Sequence, residues 1–351
     1  MPGLGDLIAA RVAEWGIDDL PLERALFGTA EPDAIAGAVD AWCLAHLGGA
    51  IEAYEFFEAS SGSVHGVRLT DGRSVVVKGH RASVRRDYLD AVASVQGALA
   101  TDGFPAPRPL VPATPCGSGH LAAEVMLRCR GGADGHHPAV RAVLARGFAR
   151  FVRLGEPHRA RLEGVSHPLT APDGALYPVP HSPRFDFAAT RGGAEWIDEL
   201  RMESLARLRT TSAGRSVVAH GDWRIENVCV DGGEIRAVYD WDSVHIDREP
   251  AALGPAAVTF SADWTRAGPR FPSPSEVAAF VSEYEVARGA DFDDGERAVL
   301  AAAMVAAATY GARCEHSIPH QLPSDDDSQR GLLRRIGPPL LDRGIEVLDQ
   351  L

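Results

Sequence analysis

Residues 217–247 hold the side chains of this sequence whose types and spacing could do chemistry. His220, Asp222 and Asn227 stand in the order H-G-D-x-x-x-x-N, and Asp240 follows after a short strand, a DGG turn and a second strand. A carboxylate can accept the proton of an attacking hydroxyl, and carboxylate and amide oxygens suit Mg²⁺. Transfer of a phosphoryl group needs both, so the segment indicates a phosphotransferase site.

The local pattern also predicts how these residues meet. An apolar strand ends near His220, and the stretches VCV and IRAVY predict the two strands of a β-hairpin. The loop before this hairpin and the loop after it lie at the same end. We therefore expect Asp222, Asn227 and Asp240 to lie together.

Lys78 is the only lysine of the chain, and Asn227 is its only asparagine. A GC-rich coding bias explains why both residue types are scarce, but it does not explain the two that remain. Lys78 lies in the β-branched run SVVVKGH, which predicts a strand. We infer that both residues stayed because the chemistry at their positions tolerates no substitute.

The elements that must position these residues fall into two halves. Residues 51–79 predict an antiparallel meander of strands, residues 82–100 predict a helix, and residues 121–127 predict a further strand. From about residue 139 onward the pattern is mainly helical. The chain is therefore expected to be α+β, with an N-terminal lobe built on an antiparallel sheet and a larger, mainly helical C-terminal lobe.

In the second half, two segments have residues that predict their local structure, a loop and a helix start. Residues 165–185 are rich in Pro, Gly and His and predict an inserted loop. Ser273 and Glu276 form a capping-box pattern with Pro274 at the first helical position, which predicts a helix start there.

These motifs resemble those of the aminoglycoside phosphotransferase and choline kinase family, which has a protein-kinase-like two-lobe fold. The resemblance covers about residues 50–260 and is strongest at HGDWRIEN and VYDWDS. It implies that Asp222 is the catalytic base and that Asn227 and Asp240 bind Mg²⁺. It also implies that Lys78 contacts the α and β phosphates of ATP.

The resemblance further implies a nucleotide site in the N-terminal half. The stretch SSGSVHG would cover the nucleotide, with Ser61, Gly62 and Ser63 as contacts, although taken alone it is typical of a hairpin turn. Glu124 and Met126 would belong to a hinge whose backbone meets adenine.

The expected domain boundaries follow from this assignment. They are an N-terminal nucleotide-binding lobe of residues 1–123, a hinge of residues 124–127 and a C-terminal catalytic and acceptor-binding lobe of residues 128–351.

Three residues near the catalytic group have roles that the sequence leaves open. Arg224 occupies the place where protein kinases carry a lysine near the γ-phosphate, and it could contact that phosphate. His220 is expected to orient the loop through hydrogen bonds. Asp242 is either a further metal or substrate ligand or a carboxylate that caps the loop.

The sequence departs from the family pattern in the helix after Lys78. Relatives place an acidic residue there to pair with the lysine, but this segment offers only Asp87, Asp90 or Gln96. After the metal loop the chain continues as IDREPAALGPAA instead of a Gly-Asp-Pro pattern. We therefore place it in a divergent branch of the family.

The charge and composition of the chain limit the partners that the protein is expected to bind. The net charge of −13 disfavours nucleic acid and anionic membranes, and no apolar stretch approaches the roughly 18 residues that a membrane span needs. We expect a cytoplasmic protein. Its five cysteines are widely spaced without a CxxC pair, so they are expected to be reduced and to form neither a disulfide framework nor a zinc site.

The sequence favours an ATP- and Mg²⁺-dependent phosphotransferase that acts on a hydroxyl of a small molecule. Residues 201–351 carry more Asp and Glu than Arg, which favours a cationic acceptor such as an aminoglycoside-like antibiotic, an amino-sugar or an amino alcohol. It selects neither the individual acceptor nor ATP over GTP.

Two other classes of protein remain open. One is a nucleotide-binding protein of kinase shape without transfer activity. The other is a metal-dependent hydrolase that would use His220, Asp222, Asp240 and Asp242 as ligands.

Overall fold

The computed structural model describes residues 3–15, 20–59, 62–168, 170–182, 184–266, 268–318 and 327–351. Two compact units divide the chain. The first consists of Met1–Thr101, Ala106–Arg128 and Gly164–Pro168, and the second of Asp102–Pro105, Cys129–Glu163 and Leu169–Leu351. Among the described helices, none is both long and apolar enough to cross a lipid bilayer.

The first unit is built on a five-stranded antiparallel sheet. Its strands are β1 (Ile51–Ala59), β2 (Ser63–Leu69), β3 (Ser74–His80), β4 (Pro109–Cys116) and β5 (Gly119–Val125). They are arranged in the order β1-β2-β3-β5-β4, and each neighbouring pair is antiparallel. The predicted meander and the α+β fold class are confirmed.

Strand β4 has no counterpart in the sequence prediction. It contains Pro109, Pro112 and Pro115, and proline cannot donate a hydrogen bond to a strand ladder. The strand lies at the edge of the sheet, where one side needs no partner. The edge position explains how a proline-rich segment can be a strand.

Helices cover both faces of this sheet. The helices α1 (Leu4–Trp15), α2 (Pro21–Phe27) and α3 (Pro32–Leu47) come before it, and α4 (Arg86–Thr101) follows β3. Val75 and Val77 of β3 belong to the same apolar core as Ile35 and Val39 of α3. Because side chains alternate along a strand, Val76 and Lys78 face the other way.

The second unit is mainly helical. It contains the helices α5 (Pro138–Gly155), α6 (Glu195–Thr210), α7 (Glu249–Thr259), α8 (Pro274–Arg288), α9 (Asp294–His316) and α10 (Gln329–Arg343). Its strands are β6 (Ser216–His220), β7 (Val228–Asp231), β8 (Glu234–Val238) and β9 (Val244–Arg248). Strand β6 pairs with β9, and β7 pairs with β8.

Helix α8 begins as its capping box predicts. The Ser273 hydroxyl accepts a hydrogen bond from the Glu276 N–H at 3.3 Å, and the Glu276 carboxylate accepts one from the Ser273 N–H at 2.8 Å. Two N–H groups that a helix start leaves without partners are satisfied in this way.

Helices α7 and α10 were not predicted, because each has proline in its interior. In α7, Gly254 precedes Pro255 and both residue types normally signal a break. A Cβ atom at Gly254 would lie only 2.6 Å from the Cβ of Ala303 in α9. The glycine therefore allows two helices to approach closely.

The side chains of Cys129 and Cys229 lie in contact, with their Cα atoms 6.2 Å apart, a separation that a disulfide can span. Cys43, Cys116 and Cys314 are free. The expectation that the five cysteines are reduced stays a prediction. Cys129 and Cys229 are 100 positions apart, so their spacing in the sequence carries no sign of the contact.

Candidate functional site

The catalytic segment lies around the hairpin of β7 and β8. Val228 and Val238 are paired across the hairpin, and the Tyr239 N–H donates to the Asn227 carbonyl at 2.8 Å. This places Asn227 directly before the hairpin and Asp240 directly after it, at the same end. The arrangement is the one expected from the strand pattern.

Asn227 is nearly buried and its amide nitrogen is turned toward Asp222. The Nδ2 atom donates to the Asp222 carboxylate oxygen Oδ2 at 2.8 Å and to the Asp222 carbonyl at 3.0 Å. Both hydrogens of the amide are therefore directed at one residue. The amide oxygen points away from Asp222, and this is the atom that could bind a cation.

The other carboxylate oxygen of Asp222 contacts Arg224. The Arg224 Nη1 lies 3.0 Å from Asp222 Oδ1, and Nε lies 3.1 Å from Glu226 Oε2. The guanidinium is also centred 4.7 Å from the ring of Trp264. Asp222 is thus held from two sides, by an amide and by a cation that is itself held in place.

The charge of Arg224 is stabilised by the carboxylates around it. Burial of the guanidinium lowers its pKa, but the fields of Asp222, Glu226, Asp240 and Asp263 outweigh burial and raise the pKa. Glu226 lies in the same motif, two residues after Arg224. Asp263 and Trp264 lie far along the chain and carry no local signal, so sequence analysis did not identify them.

His220 holds the start of the loop. Its Nε2 lies 2.9 Å from the Tyr239 carbonyl, and Nδ1 accepts a hydrogen bond from the Asp222 N–H at 3.3 Å. Burial lowers its pKa to about 4, although the nearby Asp222 opposes this change. The ring is therefore neutral at pH 7 and connects the two loops that flank the hairpin.

Asp240 has a backbone conformation that most residues avoid. Its φ is 60° and its ψ is 50°, and it is the only non-glycine residue with positive φ within the described part of the chain. This left-handed conformation costs a non-glycine residue about 1 kcal/mol. Ser243 stabilises the turn, since its hydroxyl donates to the Asp240 carbonyl at 3.0 Å. Asp242 lies in the short 3₁₀ turn Trp241–Ser243.

The expected nucleotide loop is only partly described. Ser61 lies outside the described residues. Ser63 is fully buried, and its hydroxyl lies 3.0 Å from His65 Nε2. Its side chain therefore points into the unit, and only its backbone could contact a nucleotide. A Cβ atom at Gly62 would lie 3.2 Å from the Gly79 carbonyl, so the backbones approach closely there.

The expected hinge needs a correction at its first residue. Glu124 lies within β5, opposite Val76 of β3 and Pro109 of β4. It is a strand residue, and sheet pairing occupies the backbone around it. Met126 follows the strand, and its N–H donates to the Ser74 carbonyl at 3.1 Å. That N–H is therefore engaged within the unit.

Lys78 forms its ion pair with Glu124. The Lys78 Nζ lies 3.3 Å from Glu124 Oε1, and both side chains are largely buried. Asp87 and Asp90, the acidic candidates in the helix, instead pair with Arg85 and Arg86 at the exposed start of α4. Sequence analysis assigned Glu124 to the hinge and so missed it as the partner of Lys78.

The metal-dependent hydrolase alternative finds no support in the described ranges. They contain no group of three His, Cys, Asp or Glu side chains placed to hold a metal ion. His220 uses both ring nitrogens in hydrogen bonds to the backbone. The oxygen donors that remain near the hairpin suit a cation that keeps most of its ligands from water and phosphate.

Comparison with solved structures shows the same fold in several kinases. The amicoumacin kinase hAmiN, solved with AMP-PNP, Ca²⁺ and Ami, has a TM-score of 0.57 at 14% identity over 83% of this chain and 89% of its own. A putative aminoglycoside phosphotransferase from Ralstonia eutropha JMP134 has a TM-score of 0.53 at 15% identity, covering 90% of this chain and 98% of its own.

The spectinomycin phosphotransferase APH(9)-Ia, solved with ADP and spectinomycin, has a TM-score of 0.51 at 14% identity. The match covers 90% of this chain and 98% of that one. These likenesses confirm the protein-kinase-like two-lobe fold. Among curated protein sequences there is no significant match.

The family comparison covers most of the chain. Residues 59–302 match the model of the family described as "Phosphotransferase enzyme family". This range contains Lys78, Glu124 and the whole catalytic segment around the hairpin. Because the match extends over more than half of the sequence, the protein belongs to this phosphotransferase family and is a small-molecule kinase.

Proposed function

We propose that the protein transfers the γ-phosphoryl group of ATP to a hydroxyl of a small cationic molecule, with Mg²⁺ as cofactor. The observation that carries the proposal is the orientation of Asn227 against Asp222. One hydrogen-bonded pair presents a carboxylate that can act as a base and an amide oxygen that can bind a cation. The side chains of Asp222 and Asn227 are thus oriented by their contact with each other, and neither orientation is set by one residue alone.

The residues near the hairpin fit Mg²⁺. Asn227 and Asp240 would hold the ion, and Asp242 would be a further ligand. All three offer oxygen donors, which a small hard cation prefers over nitrogen or sulfur. When bound, the ion neutralises charge on the phosphates of the nucleotide.

Asp222 acts as the base in this proposal. Its carboxylate accepts the hydrogen bond of the acceptor hydroxyl. It takes the proton as the new O–P bond forms and the bond from the γ-phosphorus to the bridging oxygen of ADP breaks, which releases ADP. Asn227 and Arg224 hold the carboxylate, so its position is fixed before the acceptor arrives. Such pre-orientation is a large part of catalysis in phosphoryl transfer.

In this proposal the nucleotide binds to the first unit. Lys78 contacts the α and β phosphates, Gly62 and the backbone of Ser63 lie beside them, and the residues after β5 meet the adenine. The close approach of the backbones of Gly62 and Gly79 supports a tight turn at this point. A cytoplasmic location, where ATP is available, is part of this proposal.

Charge supports a cationic acceptor. The second half of the chain is acidic, and the carboxylates of Glu226 and Asp263 lie near the catalytic loop. An acidic surface attracts amines and repels anions. The solved kinases that share the fold include enzymes named for amicoumacin and spectinomycin, which supports a test of antibiotics alongside amino alcohols.

The experiment measures Mg²⁺-dependent ADP release from ATP across hydroxylated amines, amino-sugars, nucleosides and antibiotics. Asp222→Asn serves as the inactive control, because it keeps the shape of the side chain and removes the base. We expect one chemical class to stimulate release in the wild type and none to do so in the variant. Equal stimulation in both proteins would show that Asp222 is not the base.

A nucleotide-binding protein without transfer would behave differently. It would bind ATP with Mg²⁺ and release no ADP with any acceptor, and Asp222→Asn would leave nucleotide binding unchanged. This outcome would replace the transfer proposal while keeping the nucleotide site.

A further inference from the structure

Strands β3 and β5 bring Lys78 and Glu124 to one face of the sheet. Val76 is opposite Glu124 and Lys78 is opposite Ala122 in this antiparallel pair. Opposite residues share a face, and so do residues two apart on one strand, so Lys78 and Glu124 are diagonal neighbours. The register of the two strands thus sets the 3.3 Å contact between Nζ and Oε1.

Gln96 completes the group from helix α4. Its Nε2 donates to Glu124 Oε2 at 2.7 Å and to the Pro107 carbonyl at 2.8 Å. The two oxygens of Glu124 therefore have different partners, a cation on one side and an amide on the other. Gln96 is 4% exposed and Glu124 is 7% exposed, so both contacts of Glu124 are buried.

The burial of Glu124 makes both of its contacts necessary. A carboxylate removed from water needs both a counter-charge and hydrogen-bond donors, and Lys78 and Gln96 supply these. The only two acidic residues of α4, Asp87 and Asp90, instead pair with arginines at its exposed start. The helix therefore contributes a donor to the buried group rather than an acid.

We propose that Glu124 on strand β5 is the positioning residue that holds Lys78 for the phosphates of ATP, and that Gln96 holds Glu124. The acidic partner of Lys78 thus lies on the neighbouring strand β5 and not on helix α4. This inference rests on the proposed function, in which Lys78 contacts phosphate. It assigns Glu124 a role in phosphate binding and removes it from adenine recognition.

The identity of residue 96 follows from the same geometry. A glutamate there would place a carboxylate against Glu124 Oε2 and against the Pro107 carbonyl, where the amide now donates. A donor is required at this position as long as the acid is on the strand. Gln96→Glu therefore weakens the site, although it restores the residue type that relatives place on the helix.

The test compares the affinities of the full-length protein for Mg²⁺–ATP and for adenosine by calorimetry. Adenosine lacks phosphates, so a general loss of structure weakens both ligands, whereas a displaced Lys78 weakens ATP alone. We expect Glu124→Gln to lower ATP affinity roughly tenfold, the scale of one charged hydrogen bond, and to leave adenosine unchanged. Glu124→Asp keeps the charge and should lose less.

Two further variants complete the test. Gln96→Glu should also weaken ATP selectively. Glu52→Gln is the matched control, since it makes the same substitution in an exposed ion pair with Arg68 in the same unit and should change neither affinity. If Glu124→Gln fails to fold, Glu124→Asp and Gln96→Glu still separate ATP from adenosine.

The outcomes distinguish the two proposals. ATP affinity that is unchanged in Glu124→Gln, or raised in Gln96→Glu, would overturn the role given to Glu124 and leave the phosphotransferase proposal standing. Parallel losses for ATP and adenosine would show that Glu124 is only structural. A wild-type protein that binds no ATP would overturn both proposals.

Discussion

The guanidinium of Arg224 lies 3.0 Å from a carboxylate oxygen of Asp222, two residues before it in the same loop. Glu226 and the ring of Trp264 hold the guanidinium on its other sides. In this arrangement the cation is part of the support of the proposed base. A contact with the γ-phosphate stays a prediction, and it would have to compete with these carboxylates.

Arg224→Ala should therefore lower kcat more than it changes the KM for the acceptor. The substitution removes one of two supports of Asp222 and leaves Glu226 without its cation. We expect a loss of about tenfold to a hundredfold in kcat, in the range of a misplaced catalytic group. Steady-state kinetics of the variant measure it.

Arg236→Ala is the matched control for that change. Arg236 forms an exposed ion pair with Glu234 in the nearby hairpin, and such pairs contribute little to stability. Activity near the wild-type level in Arg224→Ala would contradict the supporting role of Arg224.

The left-handed backbone at Asp240 makes a prediction that separates stability from activity. Asp240→Gly and Asp240→Ala both remove the carboxylate, so both should abolish turnover. Glycine adopts positive φ without strain, whereas alanine does not, so the glycine variant should be more stable by about 1 kcal/mol. Urea unfolding of the two variants measures the difference, and equal stabilities would show that the loop relaxes.

Lys78→Arg should raise the KM for ATP about tenfold or more and change the KM for the acceptor little. Arginine keeps the charge beside Glu124, but its planar fork is wider than an ammonium group and cannot present the same point charge to phosphates. Kinetics at varied ATP concentration give the result. An unchanged KM for ATP together with unchanged kcat would remove Lys78 from the nucleotide site.

Local sequence was enough to predict the catalytic loop but not the Lys78 ion pair. Asp222, Asn227 and Asp240 lie within one strand-loop-hairpin unit, so alternation and turn residues place them together. Lys78 and Glu124 meet through the pairing of two strands, with a helix and a further strand between them in the chain. Strand register is a tertiary property, and a single sequence does not reveal it.

Proline explains why three elements were not predicted. Strand β4 and helices α7 and α10 contain prolines that local rules treat as breaks. An edge position makes proline harmless in β4. In α7, the close packing of Gly254 on Ala303 shows that tertiary contacts hold the helix together. Packing of this kind overrides local propensity.

The buried histidine His65 should make the protein less stable in acid. Burial among aromatic rings lowers its pKa to about 3, well below the ordinary value of 6.5. A lowered folded-state pKa gives stability that is complete above pH 6.5 and is lost as pH falls toward the folded pKa. The loss from this residue should reach roughly 3 kcal/mol near pH 4.

Urea unfolding at several pH values measures this effect. His65→Phe should flatten the decline in the free energy of unfolding between pH 6.5 and pH 4. His46→Gln, which changes an exposed histidine in the same unit, should leave the decline as in the wild type. A decline that is identical in all three proteins would show that His65 does not titrate on unfolding.

His136 should have the opposite effect on the alkaline side. Its Nδ1 lies 2.9 Å from Glu276 Oε1 and its Nε2 lies 2.8 Å from the Pro269 carbonyl, so both ring nitrogens face acceptors. The hydrogen bond to Glu276 is the main cause of a raised pKa, and burial only partly opposes it. When protonated, the ring donates to both acceptors and joins residue 136 to the start of helix α8.

A raised folded-state pKa gives stability that is complete below pH 6.5 and is lost as pH rises through the folded pKa. The free energy of unfolding of the wild type should thus fall from pH 6 toward pH 9, and His136→Gln should remove this part of the fall. Glutamine can still donate one hydrogen bond, so the variant should fold at both pH values. A fall of the same size in His136→Gln would show that His136 is neutral in the folded protein.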